Sequence, residues 1–464
     1  MSLRFDLLTL VKELDRTHGE SFSLAGSGIP AFVTARSGPQ RFFTAAASSM
    51  LRTVAATMFQ NRSASAIRVE IAAFTSVVTQ VVADLHAEGA FAEVGQDPDS
   101  RALGVLKAEV ESRLEQAGEV YTHHFPAWTQ GFERLAPIHL GPVRFARRED
   151  WLAAVDFPEN AKNDYLNEAA ANHRWKEIVL DALGKPQSEV ELRGLAGPVY
   201  DVIRRCPGVL SVTIRGFEQH FSRKLGRIVS KAALDATSLF FQNSELFRQQ
   251  TLHDERLPPI ASSSGFIESN GYLWLPGSKL NRHPVMPYDV ARSVWDGMAE
   301  FHAPVGEILR ALVEPSSHPH PRLASRWATA LDWLAEGCRE VSDAVALAKV
   351  GTSLDVLSAG GKYRGILSMV AHLTGLNEEA QVMKAGEPMT LAQVIKAIYD
   401  QGRSQILHGT HHDRLKSFVR ERAQAEQIAS SVLLAAALRL HVYKGDDDDK
   451  AFSTMPRPND APTH

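Results

Sequence analysis

The sequence predicts a mainly α-helical protein, with a helical N-terminal region that includes a small mixed α/β part, and a C-terminal helical bundle. Apolar residues recur at spacings of three and four through most of the 464-residue chain, which is typical of amphipathic helices. Short runs rich in β-branched residues cluster between about residues 131 and 280 and predict strands. In the same part, Asn270-Gly271 lies between two apolar alternations and predicts a β-hairpin. Three prolines at 314–321 interrupt the helical pattern before it resumes in the bundle.

These patterns divide the chain into four parts. They are an N-terminal region at 1–313 with its mixed part at about 131–280, a linker at 314–321, a helical bundle at 322–443 and a tail at 444–464. The tail starts with an acidic run and continues as a Pro-rich polar segment, so we expect it to be disordered. The run Asp446–Asp449 is alternatively a cation site, although a flexible run lacks the ligand spacing of a metal cage.

The composition restricts the class of protein. The formal net charge is −4 and the sequence pI is about 6.5, so any surface for nucleic acid must be local. The two cysteines, Cys206 and Cys338, show neither zinc spacing nor a disulfide framework, which favours a reducing compartment. The N-terminal segment has charges inside its apolar pattern and predicts a short helix rather than a signal peptide. No apolar run is long enough to span a bilayer, so we expect a cytoplasmic protein with no membrane partner.

The most informative stretch is the predicted helix that ends with YDQGRSQILHG, residues 399–409. Thr390 and Gln393 form a capping box at its start. Arg403 and His408 flank its apolar stripe on opposite sides, about 140° apart at 100° per residue. In a straight helix the two side chains cannot meet on one substrate. They converge only if the helix end is distorted, which a C-cap at Gly409 permits, or if a two-fold dimer supplies a second copy.

Three segments of the bundle resemble the Apea-like HEPN family in order and spacing. They are ALDWLAEGCREVSDAVALAKVGTSLDVLSA, KYRGILSMVAHLTG and IYDQGRSQILHGT, and the resemblance covers residues 322–443. Arg403 and His408 match the R-x4-6-H motif of that family, with Ser404 as the polar residue after the arginine. Asp355 stands where the family often has glutamate. The resemblance implies a helical bundle that dimerises, and many such proteins are metal-independent ribonucleases of toxin–antitoxin or anti-phage defence systems.

The chemistry of the motif residues is consistent with RNA cleavage. The 2′-hydroxyl of RNA can attack the adjacent phosphorus, given a base, an acid for the leaving oxygen and a cation near the phosphate. Histidine serves either proton role near neutral pH, and arginine binds phosphate oxygens with a planar, permanently charged group. We therefore expect a HEPN endoribonuclease with RNA as partner, no cofactor and no metal, acting as a homodimer after a phage or cellular trigger. The N-terminal region would sense that trigger or position the RNA.

The same residues permit other interpretations. The bundle can be a non-catalytic dimerisation or RNA- or nucleotide-binding module of HEPN type. His408 can be a cation that stabilises the helix C-terminus, and Arg403 a surface arginine paired with Asp400. The sequence HGTHHD, from His408 to Asp413, is alternatively a metal site, although it straddles a Gly-Thr turn and lacks the ligand spacing of known zinc signatures.

Two further groups of basic residues are candidates for contact with RNA. Arg223, Arg227 and Lys231 share one helical face at four-residue spacing and can bind phosphates. The alternative is a solvated basic face that forms salt bridges with the acidic N-terminal helices. His411 and His412 follow the motif, and we expect them near the path of the RNA backbone.

Overall fold

The structure is a computed structural model of the chain. It describes residues 3–19, 31–63, 66–91, 101–118, 120–135, 137–256, 262–263, 267–274, 278–279, 285–383, 388–413 and 415–456. Helices form most of this part and strands a small share, so the predicted mainly α fold class is confirmed. The chain forms two compact units, one of Met1–Tyr121 with Ile214–Leu225, the other of Thr122–Thr213 with Gly226–His464. Within the described residues, no helix combines the length and the apolar character needed to cross a bilayer.

The first unit is built mainly from four amphipathic helices. Its elements are α1 (Leu3–His18), β1 (Ala31–Thr34), β2 (Gln40–Phe43), α2 (Ala45–Gln60), α3 (Ile71–Ala87) and α4 (Arg101–Ala117). Their apolar faces meet in one core, whose fully buried residues include Leu10, Phe74 and Leu106. The buried carboxylate of Asp84 is paired 2.6 Å from Arg113, which satisfies a charge that would otherwise destabilise this core.

The second unit begins with a five-stranded sheet of strand order β4-β5-β6-β3-β7. The strands are β3 (Tyr121–Trp128), β4 (Ile138–Leu140), β5 (Val143–Arg147), β6 (Gly208–Ile214) and β7 (Thr251–Leu252). The pairs β4–β5, β5–β6 and β3–β7 are antiparallel. The β-branched runs near residues 138 and 209 predicted β4, β5 and β6, and the structure confirms these three strands. The sequence did not predict β3 or β7.

Nine α-helices of the described chain lie between β5 and the bundle in sequence order. They are α5 (Arg148–Ala154), α6 (Glu159–Asp164), α7 (Ala169–His173), α8 (Trp175–Leu183), α9 (Ala196–Ile203), α10 (Gln219–Phe240), α11 (Glu245–Gln249), α12 (Tyr288–Gly297) and α13 (Ala299–Val313). Two short strand pairs lie between α11 and α12. They are β8 (Ser262–Ser263) with β11 (Ser278–Lys279), and β9 (Ile267–Ser269) with β10 (Tyr272–Trp274). Asn270 and Gly271 both have positive φ, so the hairpin predicted at this pair is confirmed.

Two glycines bring α13 against the sheet. Gly141 forms the β4–β5 turn with φ +57°, and a Cβ atom there would lie 2.3 Å from the carbonyl oxygen of Gly306 in α13. A Cβ on Gly306 would in turn lie 2.9 Å from the backbone nitrogen of Gly141. Neither position has room for a side chain, because the contact is made by backbone atoms.

The C-terminal helices pack as the predicted bundle. They are α14 (Pro321–Arg339), α15 (Asp343–Leu357), α16 (Lys362–Thr374), α17 (Leu391–Lys396), a π-helix (Ala397–Ser404), α18 (Gln405–Leu407) and α19 (Val419–Val442); β12 (Gln381–Met383) pairs with β13 (Met389–Thr390) before α17. Trp327 of α14 is fully buried and its indole N–H donates to the carbonyl of Leu433 in α19 at 2.8 Å. Because α14 packs against α13, α15 and α19, it lies at the centre of this arrangement.

The segment predicted as a linker is a short turn between packed helices. It contains a 3₁₀ helix at Pro315–Ser317, and α14 begins at Pro321. Helix α13 before it packs against both α14 and α19 after it, and both sides belong to the same compact unit. The chain passes between the two units after Tyr121 and at both ends of Ile214–Leu225 instead.

The start of the tail is ordered, contrary to the predicted disorder. The carboxylate of Asp447 accepts the backbone N–H groups of Arg322 and Leu323 at 2.9 and 3.0 Å, at the N-terminus of α14. Asp449 forms ion pairs with Arg322 and Arg326 at 2.8 and 2.9 Å. Phe452 and Met455 are fully buried. The acidic run therefore pairs with arginines and caps the N-terminus of α14. These contacts explain why the run is ordered.

A buried ion pair joins α10 to α14. Arg339 of α14 contacts Asp235 of α10, and both side chains are 1% exposed. Arg339 also donates to the carbonyls of Phe247 at 2.8 Å and Gln250 at 3.1 Å. Burial alone would raise the pKa of Asp235, but Arg339 and Lys231 hold that pKa below its usual value. The carboxylate is therefore charged in the folded protein.

We predict that Asp235→Asn lowers the free energy of unfolding by about 3–5 kcal/mol near neutral pH, because it removes the buried counter-ion of Arg339 and leaves the weaker contact with Glu336 at 3.4 Å. The pKa of Asp235 is lower in the folded than in the unfolded state. Its contribution to stability is thus present above about pH 4 and is lost as pH falls through the folded-state pKa. The difference between wild type and variant should therefore shrink in acid, as measured by urea unfolding across the pH range.

Asp332→Asn is the matched control. Asp332 pairs with Lys231 at 2.5 Å, but its side chain is 57% exposed. We expect it to cost less than about 1 kcal/mol. Equal losses in the two variants at neutral pH would show that the buried pair has no special role.

Candidate functional site

The helix that carries the predicted site is not a regular α-helix. It starts with the predicted capping box, since Thr390 Oγ1 accepts from the Gln393 N–H at 3.3 Å and Gln393 Oε1 accepts from the Thr390 N–H at 2.8 Å. The chain then winds as a π-helix over Ala397–Ser404 before the last turn, α18. Gly409 follows with φ +68°, as a C-cap glycine does. A distorted helix end, one of the two conditions under which Arg403 and His408 could converge, is thus present. π-turns inside helices are frequent at functional sites.

Arg403 lies in this π-helix and is held by α15. Its Nη2 is 2.8 Å from Asp355 Oδ2, and its Nε donates to Thr352 Oγ1 at 3.3 Å. The guanidinium carbon lies 5.5 Å from the centre of the Tyr399 ring, within range of a cation–π contact. The side chains of Arg403 and Asp355 are 20% and 15% exposed, so the pair is fixed but still reachable from solvent.

The residues predicted as catalytic are Arg403, His408, Ser404 and Asp355. Of these, the structure brings Arg403 and Asp355 into contact, and it adds Thr352 and Tyr399, which the sequence did not single out. Asp355 is the ion-pair partner of Arg403, and Asp400, the alternative partner, makes no ion pair with it among the described residues. Thr352 and Tyr399 complete the surroundings of the guanidinium. The position of Thr352, three residues before Asp355, places it on the same face of α15 and was the available signal.

Two glycines allow the π-helix to lie close to α15. A Cβ atom on Gly351 would be 3.0 Å from Cβ of Arg403, and one on Gly402 would be 2.6 Å from Cδ2 of Leu347. Side chains at these positions would push the two helices apart. Glycine is unfavourable inside a helix, but at Gly402 it allows the close packing against α15 that positions Arg403.

His408 occupies a different environment, at the exposed end of the helix. Its backbone N–H donates to the carbonyl of Ser404 at 3.0 Å, which continues the last turn. Within the described part of the chain its ring has no hydrogen bond or ion pair, and it makes none with Arg403. Ser404 is half-buried between the two. One chain thus presents a fixed arginine and a separate, solvated histidine.

The histidines after the motif are divided between packing and solvent. The ring of His411 packs edge-on against Phe418 with centroids 5.0 Å apart, whereas His412 is exposed. Asp413 accepts the backbone N–H of Leu415 at 2.9 Å. Among the residues that the structure describes, no group of three or more His, Cys, Asp or Glu side chains is placed to hold a metal ion. The metal-site interpretation of HGTHHD thus gains no support, and contact of His411 and His412 with RNA stays a prediction.

Exposed apolar side chains lie on both sides of these histidines in the chain. Leu407 of α18 is 58% exposed, Leu415 is 95% exposed and Val419, the first residue of α19, is 59% exposed. Exposed apolar side chains that form one contiguous patch are typical of surfaces that bind another protein. We call Leu407, Leu415 and Val419 the apolar rim of the site.

The basic residues of α10 are mostly engaged in ion pairs. Arg227 lies 3.0 Å from Asp254 and 3.5 Å from Glu255. Arg223, in the first unit, is exposed. Arg227 thus forms salt bridges, as the alternative to phosphate binding predicted. Its partners, however, follow α11 in the chain and do not belong to the N-terminal helices.

Lys231 is enclosed by three carboxylates. It is 2.9 Å from Asp235, 2.5 Å from Asp332 and 3.6 Å from Glu336, and its side chain is only 13% exposed. Burial would lower the pKa of Lys231, but Asp235 and Asp332 raise it above the ordinary value. Its ammonium group is therefore paired with carboxylates of the same chain and is not presented to a phosphate. This agrees with the salt-bridge alternative for this helical face.

Comparison of the chain with protein-family models, curated proteins and solved structures found no match in any of the three. The resemblance to HEPN domains therefore rests on the sequence segments of the bundle.

We predict that Asp355→Asn lowers the free energy of unfolding by about 1–3 kcal/mol, because the part-buried guanidinium of Arg403 loses its charged acceptor. Asp400→Asn should change it by less than about 0.5 kcal/mol, since Asp400 makes no ion pair in the described structure. Urea unfolding of both variants measures the difference. A larger loss for Asp400→Asn would mean that Arg403 pairs within its own helix.

Proposed function

We propose that this protein is a HEPN-type endoribonuclease, in which Arg403 and His408 cleave RNA without a metal ion at a site shared by two copies of the chain. The observation that carries the proposal is the contrast between the two residues. Arg403 lies in the π-helix and is fixed by Asp355 and Thr352, whereas His408 is exposed at the helix end and its ring has no hydrogen bond or ion pair in the described structure. A fixed cation beside an available proton carrier is what phosphodiester cleavage requires.

In the proposed reaction, the 2′-hydroxyl of RNA attacks the adjacent phosphorus and the bond to the 5′-oxygen breaks. One His408 removes the 2′-hydroxyl proton, and the other supplies a proton to the leaving 5′-oxygen. Arg403 donates hydrogen bonds to the non-bridging phosphate oxygens, on which negative charge grows in the transition state. The products are a 2′,3′-cyclic phosphate and a 5′-hydroxyl.

Asp355 acts in this proposal as a positioning residue. A guanidinium has five N–H donors, and Asp355 and Thr352 use the Nη2 and Nε sides of it. Donors remain for a phosphate, while the ion pair keeps the side chain in one orientation. The pairing also explains why an acidic residue at this place is compatible with a site for an anion.

A second copy of the chain completes the site. Arg403 and His408 do not contact each other within one chain, and a two-fold axis brings the same patch of both copies together. The residues of the apolar rim, Leu407, Leu415 and Val419, lie near His408 in the chain and have exposed side chains that a partner would remove from water. The rim therefore supports a homodimer in which each histidine faces the arginine of the other copy.

The proposal places the protein in the cytoplasm and in a defence role against phage, or in a toxin-like role, as the HEPN resemblance implies. The chain outside the bundle would respond to the trigger or position the RNA. These parts of the proposal rest on the resemblance, and the catalytic part rests also on the geometry of the site.

The ion pair itself favours a second candidate, a non-catalytic HEPN-type module for dimerisation or for binding RNA or a nucleotide. A part-buried pair between Arg403 and Asp355 also stabilises the contact of the π-helix with α15, with no catalytic role. In that case His408 is a surface residue at the helix C-terminus. The two candidates differ in what happens to RNA.

We expect the purified full chain to cleave total RNA in the presence of EDTA, and to leave 2′,3′-cyclic phosphate ends. Arg403→Ala and His408→Ala should each reduce the rate by at least about a hundredfold, since each removes a positioned group that acts in the transition state. Arg364→Ala and His139→Ala are the matched controls, because both residues are exposed and lie outside the site. Denaturing gel electrophoresis measures the cleavage, and end-group analysis identifies the new RNA ends.

Mixing wild type with an equal amount of His408→Ala tests the shared site. The proposed reaction needs one His408 from each copy, so only wild-type dimers are active, and random re-formation of dimers should lower the activity to about half that of the same amount of wild type alone. Unchanged activity after the subunits have exchanged contradicts a shared site. RNA binding without cleavage by every form, lost in Arg403→Ala, would favour the non-catalytic module.

A further inference from the structure

A cavity of about 310 Å³ in the second unit is lined by four arginines: Arg134, Arg147, Arg148 and Arg205. It lies where β5 ends and α5 begins, next to the 3₁₀ helix Phe132–Leu135 and the turn before β6. Neither the motif nor the proposed cleavage reaction uses any of these residues. The two acidic residues of the lining, Glu133 and Glu149, leave two of its positive charges without a matching negative charge.

The acidic residues do not occupy the arginines fully. Glu133 is buried and its Oε2 already accepts the Thr129 hydroxyl at 2.7 Å and the Gly131 N–H at 2.9 Å. Arg134 is 3.9 Å from Glu133, at the outer limit of an ion pair and beyond hydrogen-bond distance. The guanidinium of Arg134 therefore keeps its donors for another acceptor.

Glu149 leaves a similar surplus on the other side of the cavity. It accepts from Arg148 at 2.9 Å but lies 3.8 Å from Arg147, which is 54% exposed. Arg148 is fixed by a second bond, to the carbonyl of Arg204 at 3.0 Å. Arg205 is exposed and forms no ion pair with any residue of the described part. Arg134, Arg147 and Arg205 thus have N–H donors that no hydrogen bond in the described part of the chain uses, and Arg148 is fixed in the wall of the cavity by its two bonds.

From this geometry we infer that the cavity binds the phosphate group of a nucleoside monophosphate. Two unmatched positive charges equal the charge of a phosphate monoester, which is close to −2 at neutral pH. Arginine is the side chain best suited to phosphate oxygens, because its planar fork donates two parallel hydrogen bonds. The volume is at the lower end of small-ligand sites, so a single nucleotide fits it better than a long chain.

The rest of the lining suits the nucleoside part of such a ligand. Trp128 and Pro207 contribute apolar surface to the cavity, and Trp128 is partly exposed. Aromatic side chains stack on nucleobases with little dependence on the base. Gln130, also in the lining, belongs to a turn with φ +49° and lies beside Gly131, whose backbone approaches Met286 closely. The wall is therefore formed by tightly packed backbone, which favours a preformed site.

The proposal is tested by isothermal titration calorimetry of the full chain with AMP, adenosine and inorganic phosphate. We expect AMP to bind, adenosine to bind at least tenfold more weakly, and affinity for AMP to fall as salt is raised. Inorganic phosphate should bind more weakly than AMP, because it makes no contact with Trp128. Equal affinities for AMP and adenosine would overturn the phosphate site, and equal affinities for AMP and phosphate would overturn its nucleoside part.

Variants locate the binding in this cavity. Arg147→Ala and Arg205→Ala should each weaken AMP about tenfold, and both should fold because these side chains are exposed and make no close ion pair. Arg193→Ala is the matched control, since Arg193 is an exposed arginine of the same unit outside the lining. AMP affinity unchanged in Arg147→Ala and Arg205→Ala, or lost equally in Arg193→Ala, would overturn the assignment. Binding is measured without RNA, so this result does not depend on whether the bundle cleaves it.

Discussion

The second compact unit depends on the buried ion pair between Asp235 and Arg339. A charge enclosed in protein is tolerated only when its partners are in place, so this pair fixes α14 against α10 and the chain around Phe247 and Gln250. Helix α14 is in turn the surface on which α15 and α19 pack. Helix α15 carries Asp355, which holds Arg403. The orientation of the candidate catalytic arginine is therefore connected, contact by contact, to a charge pair near the sheet.

Features that depend on neighbouring residues were predictable from the sequence. The helices follow from apolar spacing, the start of α17 follows from Thr390 and Gln393, and the β9–β10 hairpin follows from Asn270-Gly271. In each of these, the interaction that decides the structure lies within a few residues of the pattern that predicts it. Local chemistry is then sufficient.

Features that depend on distant partners were not predictable in this way. The acidic run of the tail has the composition of a disordered segment, and its order comes from Arg322 and Arg326, more than 120 residues earlier in the chain. Lys231 resembles a free surface cation until Asp332 and Glu336 are brought to it by folding. At the candidate site, Arg403, His408 and Asp355 were identified by motif, whereas the role of Thr352 required the packing of two helices.

The two proposed ligand sites use arginine in contrasting ways. Arg403 is a single guanidinium whose direction is set by one carboxylate and one hydroxyl, which suits a transient charge that must be met in one place. The cavity near β5 instead gathers several guanidinium groups that lack full counter-charge, which suits a ligand that stays bound. Both lie in the same compact unit, and each is defined by residues that the other does not share.

The π-helix at Ala397–Ser404 has a consequence for how this helix tolerates changes in length. A turn closed by an i→i+5 bond contains one more residue than an α-helical turn, so the segment equals an α-helix with a single residue inserted. Removing one residue there would give a regular helix with all its backbone bonds, and α18 would keep its direction relative to α17 because the π-turn already accommodates the extra residue. Substitutions at Arg403 or His408 remove a functional group, whereas this deletion would keep both and remove only the π-turn that contains Arg403. It would separate the presence of the motif from the helix distortion at the site, which no substitution of the motif residues can do.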